Sequence, residues 1–174
     1  MTSVTVPARA ARGRIGDMTT QMLAWHYTTG RKFKAIAETG ALLPTAVGVT
    51  SKKERPILWF SLEQFWEPTA SKAEMQNGAM VDLKMEGTYR RGGGLARFGV
   101  SPTKLVPWPR LALKANIPPR VRVSLEQVAR EEGSEPQRWL GLINRPLLLQ
   151  DVEAIEIFDG EKWARIENAA RPIS

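Results

Sequence analysis

The stretch Leu23-Ala24-Trp25-His26-Tyr27-Thr28-Thr29-Gly30, continued through Arg31–Thr39 and Gly40 to Arg55-Pro56-Ile57-Leu58-Trp59-Phe60-Ser61, decides how this chain is read. Leu23 to Thr28 is apolar and aromatic, the composition of a buried strand, and Thr29-Gly30 interrupts it. From Arg31 to Thr39, Phe33, Ile36 and Ala37 fall on one side at helical spacing, with Arg31, Lys32, Lys34 and Glu38 mostly on the other. Gly40 closes that helix as a left-handed C-terminal cap. A polar, basic loop leads to a second strand that ends at the hydroxyl of Ser61.

Neighbouring strands would bring His26, the single histidine of the chain, close to Ser61. Trp25, Tyr27, Trp59 and Phe60 would wall that polar pair, and aromatic walls with a few polar groups suit a planar heterocyclic ligand. A lone histidine on an apolar strand is also what a satisfied core residue looks like, so the pattern alone leaves both readings open.

Three short blocks carry a family resemblance: His26-Tyr27-Thr28-Thr29, Ile36-Ala37-Glu38-Thr39-Gly40-Ala41-Leu42-Leu43-Pro44 and Leu58-Trp59-Phe60-Ser61. In content and order they resemble the start of the ADP-ribosyltransferase-like superfamily, which includes the related RNA 2'-phosphotransferases. The resemblance implies an α+β fold of two packed, mainly antiparallel sheets with peripheral helices around a cleft. It implies NAD as substrate and ADP-ribosyl transfer, a glycosyl transfer, to a macromolecule. His26 would then bond the ribose next to nicotinamide, with Tyr27, Thr28, Trp59, Ser61 and Trp66 around the cofactor and Arg97 on phosphate. Two alternatives stay open: RNA 2'-phosphotransferase-like chemistry, and a catalytically inactive nucleic-acid- or protein-binding module.

ADP-ribosyl transfer passes through a sugar cation, which a carboxylate stabilises while orienting the nucleophile. Family members commonly carry that glutamate on a late strand. Here the strand expected at Arg138–Ile143 has no acid. Glu135 just before it and Glu153 on the next strand are the candidate catalytic acids, with Glu156 beside them.

At 174 residues the chain is long enough for one well-buried core, and its 43% hydrophobic and 25% charged content is that of a globular protein. No apolar run reaches the roughly 20 residues that span a bilayer, so no membrane partner is expected. With no cysteine, disulfides and thiol catalysis are excluded; this fits a cytoplasmic location, and with one histidine it leaves little from which to build a zinc site. The net charge of +7 favours an acidic partner, either nucleic acid or an acidic protein surface. Residues 1–17, with Arg9, Arg12 and Arg14, read as a mobile basic arm, and 18–174 as one domain.

Beyond Ser61, the spacing predicts a helix over Leu62–Met75, bent at Pro68, and then a strand over Gly78–Met85. Thr88–Gly94 reads as a flexible basic hairpin whose Arg90 and Arg91 are free for a phosphate. Leu95–Val100 is a strand in which Arg97 needs an anionic partner. A short helix is expected at Trp108–Ala115, and another at Ser124–Glu132, capped by Ser124 and stopped by Gly133. Glu126, Arg130, Glu131 and Glu132 are assigned to its solvated face. Val152–Phe158 and Lys162–Ile166 pair through an Asp159-Gly160 turn.

Overall fold

The computed structural model describes residues 22–45 and 52–167; the basic arm expected at 1–17 lies outside them. In chain order, strand β1 (Ala24–Thr29) runs into helix α1 (Gly30–Thr39), then β2 (Ala41–Leu42) and β3 (Ile57–Ser61). The hairpin β4 (Ala73–Gln76) and β5 (Ala79–Asp82) precedes α2 (Lys84–Gly92) and β6 (Leu95–Val100). Next come β7 (Val106–Pro107), α3 (Arg110–Lys114), α4 (Pro119–Glu131) and β8 (Trp139–Ile143). The short β9 (Leu147–Leu148), β10 (Ala154–Phe158) and β11 (Trp163–Arg165) complete the described chain.

The architecture is α+β, built on one seven-stranded sheet in the order β11-β10-β6-β1-β3-β8-β7, every pair antiparallel. Two packed sheets were expected; among the described residues the remaining strands form only the small pairs β2-β9 and β4-β5. Alternation along β3 and β8 explains how one sheet covers two cores. Leu58, Phe60, Leu140 and Leu142 face a cluster with Phe98, Val100 and Ile155, onto which Phe33 and Ile36 of α1 pack. Ile57 and Trp139 point the other way, joining Leu111 and Ala112 of α3 and Ala129 of α4. Farther along this second face Trp25, Tyr27 and Ala154 form a third cluster with Trp66 and Trp163.

The first strand and helix fall where the residues place them, and Gly40 caps α1 at φ 72°, donating its amide to the Ile36 carbonyl at 2.9 Å. The expected helix at Leu62–Met75 is absent. In its place the chain is irregular, with a single 3-10 turn at Pro68–Ala70, and β4 begins at Ala73. Pro68 is the cause: it cannot donate within a helix interior, and it sits instead in the first turn after Glu67, whose carboxyl accepts the Thr69 amide.

The expected flexible basic hairpin is helix α2. The end of α2 comes in close: a Cβ on Gly92 would stand 2.6 Å from the Thr29 methyl, and one on Gly30 of α1 would stand 2.1 Å from the Gly93 carbonyl oxygen. The Gly30 amide donates to Gly94 at 2.9 Å, so the glycine run docks the end of α2 onto the start of α1. At its exposed end Arg90 pairs with Glu86 and Arg91 with Glu74.

Helix α4 starts earlier than Ser124 because Pro119 occupies its first turn, where a missing amide costs nothing. Ser124 is therefore interior and bonds back to the Arg120 carbonyl. Of the residues assigned to its solvated face, Arg130 and Glu131 are exposed. Glu126 instead accepts from the Trp108 indole at 2.8 Å, and Glu132 is partly buried. No helix among the described residues is long and apolar enough to cross a membrane.

Candidate active site

The seven-stranded sheet has a seam. Strands β1 and β6 pair along the full length of β1, and β3 and β8 along the full length of β3, but β1 and β3 share one register pair, Trp25↔Ser61. Beyond it the two strands part, and a cleft of about 510 Å3 opens along the seam under α4. Consecutive residues Trp25, His26 and Tyr27 all border it, because it follows the edge of β1 rather than one face. Trp59 and Trp139 stand on the opposite side, and Leu125 and Val128 of α4 form an apolar wall.

His26 bridges the seam. Its Nδ1 lies 2.8 Å from the Trp59 carbonyl oxygen, which can only accept, so Nδ1 carries the proton. Burial pushes the imidazole pKa down to about 4, against the opposing effect of that hydrogen bond, and Lys32 and Lys72 lower it further. At neutral pH the ring is uncharged, and its other nitrogen, Nε2, is an acceptor.

Ser61 is buried and donates from Oγ to Glu67 Oε2 at 2.6 Å, while accepting the Glu63 amide at 3.1 Å. Glu67 itself is only 6% exposed. Its other oxygen accepts from the Thr69 hydroxyl at 2.8 Å, the Thr69 amide at 3.3 Å and the Ser134 hydroxyl. The Trp139 indole donates to Ser134 Oγ at 3.2 Å, extending the network beneath the cleft. No cation pairs with Glu67 among the described residues. The sequence missed this buried carboxyl because it was assigned to an ordinary helix; the signal was its place immediately before Pro68, six residues after Ser61.

Among the other groups that border the cleft, Glu132 and Lys72 are shifted. Burial, then Asp82 and Glu67, push the Glu132 carboxyl up against the opposing effect of Lys84. Lys72 is held below the usual lysine range by desolvation and by Lys32.

Of the remaining sequence candidates, only Tyr27 borders the cleft. Thr28 is buried within β1 and does not border the cleft. Tyr27 sends its hydroxyl to the Glu63 carbonyl, and its ring packs edge-on against Trp66 at 5.1 Å; burial raises its pKa. Trp66 donates to Ser71 at 3.3 Å and lies outside the cleft lining, so it packs in the third cluster instead of edging a ligand pocket.

Arg97 has the anionic partner it needs, but that partner is internal. Tyr27, Arg97 and Glu156 are in register across β1, β6 and β10, and Arg97 forms an ion pair with Glu156. Its guanidinium lies 3.9 Å from the Trp25 ring centre and 4.5 Å from that of Trp163, and it also donates to the Gln64 carbonyl. Saturated in this way and absent from the cleft lining, it is not positioned for a bound phosphate.

Glu135 is exposed ahead of the Pro136–Arg138 turn, and it does not border the cleft. Glu153 accepts the Ser101 amide at 2.9 Å and pairs with Lys104 at 2.8 Å, which holds its carboxyl below the usual range; it too lies outside the cleft lining. Among the described residues, no group of three His, Asp or Glu side chains could hold a metal ion. Comparison with protein-family models, curated proteins and solved structures finds no match to this chain.

Proposed function

We propose that this chain transfers ADP-ribose from NAD to a macromolecular acceptor, with Glu67 as the carboxylate of the site. One observation carries the reading: a buried carboxyl, bonded among the described residues only to neutral donors, borders an aromatic cleft beside an uncharged histidine. A buried anion without a cation is costly unless something positive arrives, and the nicotinamide ring of NAD is a planar cation. Trp59, half-buried at the cleft, offers it an apolar ring. His26 offers an acceptor nitrogen to a ribose hydroxyl, and Ser61 holds Glu67 in place.

In the reaction the bond between ribose and nicotinamide breaks and nicotinamide leaves neutral with the electron pair. The positive charge passes to the sugar, where a nearby carboxylate is worth most. The acceptor's nucleophilic atom then adds and loses its proton to one of the carboxylates that border the cleft, Glu54, Glu67 or Glu132.

The test is nicotinamide release and NAD binding by wild type, His26→Ala and Glu67→Gln. Turnover in wild type and its loss in both folded variants supports the reading. A wild-type protein that neither binds nor cleaves NAD ends it.

A further inference from the structure

Beside the cleft lies a second groove of about 680 Å3, bordered by Lys52, Lys53, Arg55, Asn116 and Asn144, with Glu54 as its one acid. Glu54, Arg55 and Pro56 border both hollows, so the groove runs into the mouth of the cleft. The backbone under it is fixed. Arg55 donates its amide to Ala115 at 2.9 Å, Asn144 donates its amide to Pro56 at 2.8 Å, and the Asn116 side chain donates to the Lys53 carbonyl at 3.0 Å.

The side chains above that backbone are largely uncommitted. Lys52, Lys53 and Arg55 are exposed, lie together along the groove and enter no ion pair among the described residues. The Asn144 carboxamide makes no hydrogen bond among the described residues. Clustered cations call for a polyanion. An open carboxamide presents a donor and an acceptor together, which is the complement of a nucleobase edge and not of a carboxylate side chain. The aromatic walls at the end of the groove add surfaces on which a base can stack.

We infer that this groove binds a single-stranded nucleic acid and leads it to the cleft as the acceptor. The delivery to the cleft rests on the transferase reading; the binding does not. An acidic peptide would use the cations but leave Asn144 and the aromatic walls without a role.

The experiment measures binding of a fluorescent single-stranded oligonucleotide to the full chain by anisotropy, at several salt concentrations, for wild type, Lys52→Ala/Lys53→Ala and Asn144→Ala. Phosphate contacts by Lys52, Lys53 and Arg55 give wild type a loss of about 18-fold between about 50 and 200 mM salt, at a slope of roughly 0.7 per contact. The double variant keeps one contact, so its loss over the same range is about 2.6-fold. Asn144→Ala weakens binding without changing the salt slope. Lys52 and Lys53 lie outside the cleft lining, so nicotinamide release to water stays at the wild-type rate in the double variant while transfer to the oligonucleotide falls.

Equal affinity and equal salt slope in wild type and the double variant overturn the inference. So does polyglutamate that displaces the oligonucleotide as well as unlabelled oligonucleotide does, because the groove then recognises charge alone. If wild type releases no nicotinamide, the transferase reading fails by itself, and the binding measurement still decides the groove.

Discussion

Glu67 is where the proposed chemistry and the stability of the fold meet, and two substitutions separate them. Glu67→Gln keeps the volume. With its amide oxygen in the place of Oε1 it retains the bonds from Thr69 and Ser134, and its NH2 then confronts the Ser61 hydroxyl, which must turn its proton away. That oxygen already accepts the Glu63 amide, so one strained hydrogen bond is the expected loss, about 1 kcal/mol. Glu67→Ala leaves the Ser61, Thr69 and Ser134 donors without an acceptor, relieved in part by water from the cleft. About 3 kcal/mol is expected, read as a fall in melting temperature of roughly 6–12 °C for a chain of this size. The functional loss runs the other way. Glu67→Gln, although nearly as stable as wild type, should lose about 100- to 1000-fold in nicotinamide release, the effect typical of removing one preorganised stabiliser of developing charge. Urea unfolding and a nicotinamide-release assay on the same preparations give both numbers. If Glu67→Ala unfolds within about 0.5 kcal/mol of wild type, the carboxyl is not the hub of this network. If Glu67→Gln turns over at the wild-type rate, its charge has no part in the reaction.

Arg97→Ala strands Glu156 and removes the cation between Trp25 and Trp163, so thermal unfolding should show a loss of about 3–5 kcal/mol. Arg97→Lys should recover little of it, since an ammonium lacks the planar fork. Its folded fraction should bind NAD with wild-type affinity, and a large affinity loss would restore Arg97 as a phosphate contact. His26 has a folded pKa of about 4 against 6.5 in the unfolded chain, so between these values the unfolded chain binds more protons. Its contribution to stability is therefore complete above pH 6.5 and declines as pH falls toward 4. Urea unfolding should register a loss of about 2 kcal/mol between roughly pH 7.5 and 5 from this group, a component that His26→Gln abolishes. Glu153→Ala removes the Lys104 pair and the acceptor for the Ser101 amide, costing about 1 kcal/mol in the same assay. Nicotinamide release should not change, and a turnover defect would return Glu153 to the candidate acids.

The strands at Trp25, Leu58, Phe98, Leu140 and Ile155 were legible because apolar and β-branched runs of strand length sit between unmistakable breakers. The seam was not. Whether two adjacent strands pair along their length or part after one rung depends on what fills the gap, here the His26 ring bonded to the Trp59 carbonyl. His26 and Ser61 could be brought together from order alone, whereas the carboxyl between Ser61 and Ser134 depends on a loop that Pro68 withdraws from the helical pattern. Arg97 shows the limit from the other side. The need for an anion was readable, but a glutamate in register on the adjacent strand supplies it as readily as a ligand phosphate. Helix α2 was hidden for a related reason: its glycines have low helix propensity, and the close approach of Gly92 to Thr29 at the end of β1 is visible only in the folded chain.

The single rung between β1 and β3 also has a mechanical consequence. It divides the sheet into a slab of β11-β10-β6-β1 and a slab of β3-β8-β7, each laced by its own ladder. Rotation of one slab against the other about Trp25 and Ser61 changes the aperture of the cleft while leaving both ladders intact. The compliance of the site is thus concentrated along one line, cross-tied by the His26 ring on the Trp59 carbonyl and, beyond the Trp25–Ser61 rung, by Tyr27 and Arg97 on the carbonyls of Glu63 and Gln64. A ligand thicker than the resting aperture would therefore work against these side-chain ties and not against either ladder.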